Sequence, residues 1–288
     1  IYGVKGEESR EVSFLSDRWL ELFLHACREA DRLGLGVDIV PGSGWRLGGP
    51  DVPKGERAVK LKLIRKNSPS GSRLVATAAL SHEPIKRPGP GGAGSSIDMF
   101  DKRAIANHLK RFETRFFKKI PAHFVRAQFH DSWEYEADWS HRFPQEFLKR
   151  RGYDLQRYAA VFESGGSSLP RETVSRVLHD YRQTLDEMIL DHFSDTWNTH
   201  CHARGILTRN QAHGSPGNLL DLYAKADIPE TEIIWDGTNP LVQKFASSAG
   251  HVAGKPLISA ESFTWLSNHW RSDLAKIKRY TDYLFLCG

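Results

Sequence analysis

The sequence lacks the features that define several common protein classes. Its 288 residues contain no apolar run close to the ~18 residues that a membrane-spanning helix needs. Its three cysteines, Cys27, Cys201 and Cys287, are an odd number and lie far apart. They therefore predict neither a disulfide framework nor a zinc motif, and they leave the redox compartment open. The chain starts without Met or an apolar signal region, so we expect a targeting peptide to be absent or removed.

The sequence also lacks a large excess of either charge sign. Lys and Arg number 40 against 35 Asp and Glu, which gives a formal net charge of only +5, and the basic residues are scattered along the chain. This distribution argues against a nucleic-acid partner. The apolar fraction of 40% and the charged fraction of 26% are those of a soluble globular protein. The length suits one large α/β barrel or two ordinary domains.

Two short motifs imitate binding sites without meeting their requirements. The stretch "GSGWRLGGP" (42–50) is glycine-rich but matches neither a Walker A motif nor a dinucleotide fingerprint. We expect its Trp45 to form a wall of a substrate pocket. His200 and His202 imitate a His-x-His metal motif, but they fall at the end of a predicted helix. There, side chains two residues apart diverge by ~200°, so we expect no metal at this position.

Apolar runs and helical patterns alternate along the chain. Residues 16–33 have a helical rhythm, with Ser16 as the predicted N-cap and Gly34 as the stop. Further helices are predicted near 101–118, on either side of Gly152, over 171–203 and at "LLDLYAKA" (219–226). Buried strands are predicted at "LGVDIV" (35–40), 123–129, "GILTRNQ" (205–211), "IPETEIIW" (228–235), "KPLISAESF" (255–263) and "DYLFL" (282–286).

This alternation predicts an α/β fold, a (β/α)8 TIM-type barrel that is incomplete at its ends. We expect a single catalytic domain over 1–288, with a short insertion at about 56–98. Within the insertion, 56–80 predicts a pair of strands, and the Gly/Pro-rich 86–96 predicts either a flexible insertion or the remnant of a missing lobe. An open doubly wound sheet is the alternative fold, but the G-x-G-x-x-G opening that it favours is missing.

Carboxylates follow several of the predicted strands. The stretch "FHDSWEYEADW" (129–139) contains Asp131, Glu134, Glu136 and Asp138, and its Trp133, Tyr135 and Trp139 are expected to be exposed and to stack on sugars. The active sites of β/α barrels gather at such strand exits. The alternative is that Asp131 or Ser132 caps a helix and the other residues form ordinary surface.

Two later segments carry three more glutamates. Glu230 and Glu232 are two residues apart on a strand, so their side chains share a face and could converge on one cation or one sugar. An exposed edge strand with two solvated glutamates is the alternative. Glu261 closes the apolar run "PLISA", where it either caps the next helix or projects into the barrel mouth.

Four segments together resemble glycoside hydrolase family 106, the α-L-rhamnosidases. They are "EADRLGLGVDIVPGSGWRLGGP", "HDSWEYEADWSHRFPQEFLKRRGYDL", "RNQAHGSPGNLLDLYAKADIPETE" and "SSAGHVAGKPLISAESFTW". The resemblance implies a calcium-assisted barrel that removes terminal α-L-rhamnose with inversion. It implies that Glu134 is the general acid and Glu261 the general base. It further implies Glu230 and Glu232 as calcium ligands, and Asp131 and His213 as calcium or sugar ligands. Trp45 and Trp133 are predicted to bind substrate as well.

Elementary chemistry agrees with these roles. Glycoside hydrolysis needs one protonated and one ionised carboxyl group in different environments. The rings of Trp133 and Tyr135 are expected to raise the pKa of Glu134 and so to suit it to the acid role. A hard cation such as Ca²⁺ needs several oxygen ligands, which Glu230 and Glu232 could supply.

Two other functions stay open at this point. One is a metal-dependent hydrolase that uses His130, His213 and the acids, and the other is a carbohydrate-binding barrel without turnover. The resemblance also implies a carbohydrate substrate, flanking β-sandwich domains in a longer parent chain, and a secreted or periplasmic location. The abrupt end after the predicted strand 282–286 likewise indicates a piece of a longer protein.

Overall fold

Short apolar runs separated by amphipathic helices assemble into a parallel sheet. The computed structural model describes residues 4–69, 71–163, 168–233, 239–265 and 270–288. Within these ranges the sheet has the strand order β1–β6–β7–β8–β9, and every neighbouring pair is parallel. Its strands are β1 Val37–Ile39, β6 Val125–His130, β7 Leu207–Asn210, β8 Ile228–Glu232 and β9 Ser259–Glu261.

Helices connect the strands of this sheet. The α-helices in the described ranges are α1 Asp17–Arg32, α2 Lys102–Phe116, α3 Phe143–Arg151, α4 Arg171–Met188, α5 Asp195–His202, α6 Leu219–Lys225, α7 Pro240–Val252 and α8 Leu274–Cys287. A π-helical turn, Ile189–Ser194, joins α4 to α5, so the long helix predicted over 171–203 is present with one local distortion. None of the described helices is long and apolar enough to cross a membrane.

The ends of the first helix follow the sequence signals. The Ser16 side chain accepts a hydrogen bond from the Trp19 backbone N–H at 3.2 Å, which satisfies one of the free donors at a helix start. Gly34, just beyond the last helical turn, has a φ of 68°. This left-handed conformation favours glycine and ends the helix, as predicted.

A hairpin and a short ribbon lie outside the parallel sheet. The strand pair predicted within 56–80 is confirmed as the antiparallel strands β3 Val59–Ser68 and β4 Gly71–Leu80. The ribbon pairs β2 Gly48–Gly49 with β5 Ser95–Ser96. The 86–96 segment, predicted to be flexible, makes backbone hydrogen bonds to the loop after β1. Gly89 N–H donates to the Ser43 carbonyl at 2.8 Å, and Lys86 N–H donates to the Trp45 carbonyl at 3.1 Å.

Two of the predicted strands differ in how far the structure agrees with them. The predicted strand 282–286 is wrong, since these residues belong to helix α8. Asp273 caps that helix by accepting a hydrogen bond from the Lys276 backbone N–H at 2.7 Å. The error arose because periodicity alone cannot tell whether a short apolar run forms a strand or part of a helix. The strand predicted over 228–235 is observed as β8, while its last two residues lie outside the described residues.

The parallel βα arrangement is therefore confirmed. A complete eight-stranded barrel is not observed, because the described residues contribute five parallel strands with β1 and β9 at the sheet edges. Helix α5 packs behind β6: Trp197 stacks on Phe193 with ring centroids 5.4 Å apart, and its indole N–H donates to Gln128 Oε1 at 3.0 Å. This buried packing fixes the strand whose carboxyl end leads into the acidic segment.

Candidate active site

Four acidic side chains come together at one edge of the sheet. Strand β6 ends one residue before Asp131, while Glu232 and Glu261 are the last residues of β8 and β9. Because the strands are parallel, their carboxyl ends share one edge, where barrel enzymes carry their catalytic groups. Glu134 follows in the loop after β6, and the charges of Glu261, Glu232 and Glu134 all act on Asp131.

Asp131 is the carboxyl group whose pKa departs most clearly from its ordinary value within this cluster. The pKa of Asp131 is raised to about 6, mainly by burial and also by the negative charges of Glu261, Glu232 and Glu134, against a hydrogen bond from the Ser132 backbone N–H. That N–H donates to Asp131 Oδ1 at 2.7 Å. Asp131 therefore titrates close to the pH range in which a carboxyl group can act as a proton donor.

Glu134 has the opposite electrostatics. Burial raises its pKa, but the Lys86 ammonium and the Trp45 indole outweigh this effect, so that the pKa of Glu134 is lowered. The Trp45 indole N–H donates to Glu134 Oε2 at 2.7 Å, and Lys86 Nζ forms an ion pair with the same oxygen. The expectation that Trp133 and Tyr135 raise this pKa is wrong, because two polar donors and not aromatic faces contact the carboxylate.

Lys86 reaches the acid because two loops lie against each other. A Cβ on Gly44 would lie 2.5 Å from the Lys86 carbonyl oxygen, so only glycine allows this approach. The Arg46 guanidinium joins the contact by donating to the Glu134 carbonyl at 3.0 Å. The 86–96 segment thus supplies one wall of the site, as Trp45 does.

Glu261 and Glu232 occupy the other side of the cluster. Glu261 Oε2 accepts from Gln211 Nε2 at 2.7 Å, and Glu261 Oε1 accepts from the Thr264 hydroxyl at 3.1 Å. Glu232 contacts His213, whose Nε2 lies 2.8 Å from Glu232 Oε2. His213 also anchors the loop after β6, since its carbonyl accepts from the Trp133 backbone N–H at 2.9 Å.

Glu230 shares the face of Glu232 but has its oxygens occupied. It is fully buried, and its Oε2 accepts from Arg209 and from the Ser259 hydroxyl at 2.5 Å. Its Oε1 accepts from Gln211 Nε2 at 2.9 Å. Across the described ranges, no group of three or more His, Cys, Asp or Glu side chains is arranged to hold a metal ion. The Glu230–Glu232 pair in this geometry does not fit a metal site.

Comparison with known proteins now assigns this arrangement to a family. A family model for α-L-rhamnosidases, glycoside hydrolase family 106, matches residues 81–288, which is more than half of the chain. The chain belongs to this α-L-rhamnosidase family. The resemblance drawn from the four sequence segments is thereby confirmed.

Two relatives support the assignment. The solved structure of a rhamnosidase from Novosphingobium sp. PP1Y has a TM-score of 0.63 and 27% identity, over 73% of this chain and 21% of that one. A curated protein of Formosa agariphila (strain DSM 15362 / KCTC 12365 / LMG 23005 / KMM 3901 / M-2Alg 35-1), named "Putative beta-glucuronidase", is 27% identical over 243 residues. That match covers 80% of this chain and 19% of the relative. This family member therefore spans about a fifth of the length of either relative.

Within this family member, only part of the acidic segment 129–139 faces the cluster. Glu136 forms an ion pair with Lys60 of β3, and Asp138 Oδ1 accepts from the Leu61 backbone N–H at 2.7 Å. These two acids therefore hold the β3–β4 hairpin. The segment serves both the cluster, through Asp131 and Glu134, and the hairpin.

The expectation of exposed aromatic rings in this segment is wrong for its tryptophans. Trp133 is 5% exposed and Trp139 is 1% exposed. Trp133 packs among Phe100, Tyr135 and Phe193, because the chain folds back under the cluster after β6. Trp45 keeps a partly exposed ring beside Glu134.

The histidines divide between core, surface and cluster. His130 is buried, with Nδ1 3.0 Å from Asn210 Oδ1 and Nε2 3.3 Å from the Tyr135 hydroxyl, and burial lowers its pKa to about 4. Because both of its nitrogens have partners, the geometry argues against a metal-ligand role. His200 and His202 contact Glu113 and Asp227 separately, as their divergence on α5 requires.

Three residues that contact the acidic side chains of the site were not predicted from the sequence. Arg209 carried a usable signal, because a charge inside a predicted buried strand needs a partner. Gln211 carried a signal as well, because it lies at the end of that strand, where the candidate carboxylates of other strands were sought. Lys86 had no such signal, since its approach depends on the folding of a Gly/Pro-rich segment.

Proposed function

We propose that the protein containing this chain hydrolyses terminal α-L-rhamnosides with inversion of the anomeric carbon. Membership of the α-L-rhamnosidase family supports this proposal. The observation that carries it is the convergence of Asp131, Glu134, Glu232 and Glu261 at the carboxyl ends of neighbouring parallel strands. A cluster of carboxyl groups with different electrostatics is the arrangement that glycoside hydrolysis requires.

In this proposal Glu261 is the general base and Glu134 the general acid. Glu261 takes a proton from water as the water oxygen attacks the anomeric carbon, while Glu134 gives a proton to the departing glycosidic oxygen. Asp131 is a second candidate for the acid, because its raised pKa favours the protonated form that Lys86 disfavours in Glu134. In the first assignment, Asp131, His213 and Trp45 contribute to the substrate site, whereas Trp133, predicted to bind substrate, is buried and supports the site from the core.

A panel of aryl glycosides tests the proposed function in the complete protein that contains this chain. We expect release of the phenol from the α-L-rhamnoside, and NMR of the first product should show the inverted anomer. The panel includes an aryl β-D-glucuronide because one relative has a name of that class. Turnover of the glucuronide alone would overturn the proposal, and binding without release would identify a carbohydrate-binding protein.

We also propose that Ca²⁺ assists the reaction. The support for this proposal is the resemblance of the four sequence segments to calcium-assisted α-L-rhamnosidases, since the described acids do not form a metal site in this geometry and Glu230 is occupied by protein donors. Neither proposed proton transfer, from water to Glu261 or from Glu134 to the glycosidic oxygen, depends on the ion. Its role would be to compensate the negative charge of the cluster.

Chelation tests the calcium proposal. EGTA is expected to reduce rhamnoside hydrolysis, and Ca²⁺ should restore the rate better than Zn²⁺ does. A matched readout is thermal unfolding, in which added Ca²⁺ should raise the melting temperature of the wild type more than that of Glu232→Gln. Full activity in metal-free buffer, together with no thermal shift, would contradict it.

Lys86 offers a test of the acid. Lys86→Met removes the cation that lowers the pKa of Glu134, so the acid should stay protonated to higher pH. We expect the basic limb of the kcat/KM profile to move to higher pH. Lys60→Met is the matched control, since Lys60 pairs with Glu136 on the hairpin. An unmoved basic limb would indicate that Glu134 is not the acid.

The proposal extends to the architecture around the site. We propose that residues 1–288 form one catalytic domain, that the parallel sheet is part of a (β/α)8 barrel, and that flanking β-sandwich domains complete a secreted or periplasmic protein. The family membership and the much greater length of both relatives support this. An experimental structure of the complete protein tests it, with further parallel strands expected beside β1 and β9.

A further inference from the structure

Gln211 lies between Glu230, which is buried, and Glu261, which is partly exposed. It is the first residue after β7, and its side chain is completely buried. Its amide nitrogen donates to Glu261 Oε2 at 2.7 Å and to Glu230 Oε1 at 2.9 Å. Ionised carboxylates only accept hydrogen bonds, so only the NH2 end of the amide can face them both. Both N–H groups of Gln211 are therefore committed.

Glu230 provides a fixed point for this bridge. Arg209 pairs with Glu230 and, at 3.1 Å, with Asp38 of β1, and its guanidinium lies 4.5 Å from the centre of the Phe129 ring. The Ser259 hydroxyl adds a third donor to Glu230. A buried carboxylate with an opposite charge and several donors is held rigidly, since each lost contact would leave a buried charge uncompensated.

Glu261 is less firmly held by its own strand. Strand β9 has only three residues, Glu261 is its last, and its side chain is partly exposed. Apart from Gln211, its carboxylate has a contact to the Thr264 hydroxyl on the following loop. The bridge from Glu230 is thus the contact that links Glu261 to the sheet interior.

The other end of the Gln211 amide is unusual. Its Oε1 is buried and has no hydrogen-bond partner among the described residues. An unsatisfied buried acceptor costs stability, which an apolar side chain of similar shape would avoid. The retention of an amide at this cost fits a requirement for its two donors.

We propose that Gln211 is a positioning residue that holds Glu261 in place by tying it to Glu230. The inference rests on the proposed role of Glu261 as general base. A carboxylate that loses an N–H donor takes up a proton more readily, and a base displaced by about 1 Å loses up to ~10²-fold in rate.

Gln211→Met and Gln211→Glu test this in the complete protein. Gln211→Met should lower kcat by ~10–100-fold with little change in KM, and it should move the acid limb of the pH profile to higher pH. Gln211→Glu keeps the shape but adds a carboxyl group, which can donate only when protonated. Its activity should therefore recover toward the wild type as the pH falls.

Gln156→Met is the matched control, because Gln156 also makes two hydrogen bonds, to the backbone of Ala76 on the β3–β4 hairpin and not to the acidic cluster. It should change thermal stability without moving either limb of the profile. If the wild type releases no rhamnose, the proposed function fails. If the wild type is active and both Gln211 variants keep its kcat and its acid limb, the positioning role alone fails.

Discussion

Glu261→Gln is expected to lower the hydrolysis of every rhamnoside by ~10²–10⁴-fold, because no residue would remain to activate water. Glu134→Gln should be equally damaging only for natural rhamnosides, whose alkoxide leaving groups need a proton. On an aryl rhamnoside with an acidic phenol, Glu134→Gln should keep much of the rate. Steady-state kinetics on the two substrates measures the contrast.

Two further variants make this result interpretable. Glu136→Gln, two residues away on the hairpin side, should leave both substrates unaffected. Asp131→Asn tests the second candidate acid: if it shows the leaving-group contrast and Glu134→Gln does not, the proton belongs to Asp131. Equal losses on both substrates in Glu134→Gln, with a contrast in Glu261→Gln, would mean that the two roles are reversed.

Asp131→Asn is also expected to make the protein more stable above pH 6. The pKa of Asp131 is raised by burial from its ordinary 3.8 to about 6. Between these values the folded state binds more protons than the unfolded state, so the free energy of unfolding falls as pH rises through this window. The amide has no charge to bury, which gives the variant an advantage of roughly 1–3 kcal/mol at pH 7–8.

Urea unfolding at pH 4, 6 and 8 measures this difference. The advantage of Asp131→Asn should be large at pH 8 and small at pH 4, where the carboxyl group is protonated in the folded state and about half ionised in the unfolded state. The exposed Asp221→Asn serves as the control and should show no such trend. An advantage that is the same at all three pH values would mean that the charge of Asp131 is not the cause.

Sequence reasoning succeeded where one strand rule decides the geometry. Asp131, Glu134, Glu232 and Glu261 were predicted near the carboxyl ends of strands, and because the strands are parallel these ends share one edge of the sheet. It failed where the outcome depends on side-chain direction or on loop packing. Alternation and composition cannot tell whether Trp133 points outward or into the core.

Dependence on loop packing also explains why the direction of the pKa shift of Glu134 was predicted wrongly. Its pKa depends on Lys86, 48 residues earlier, which reaches it only after the 86–96 segment folds against the Trp45 loop. The helix at 274–287 was not predicted for a local reason, since a run as short as "DYLFL" fits the periodicity of a strand and that of a helix. Long-range contacts and short ambiguous runs thus account for the corrections.

The contacts of Glu134 and Glu261 come from different parts of the molecule. Glu134 is held by Trp45 and Lys86 from loops outside the parallel sheet, whereas Glu261 is held through Gln211 from within it. If the proposed roles hold, substitutions in the two loops should change the pKa of Glu134 and leave the contacts of Glu261 intact. We therefore expect substitutions in 43–49 and 86–96 to shift the pH dependence of the proposed reaction, and substitutions at the strand ends to abolish it.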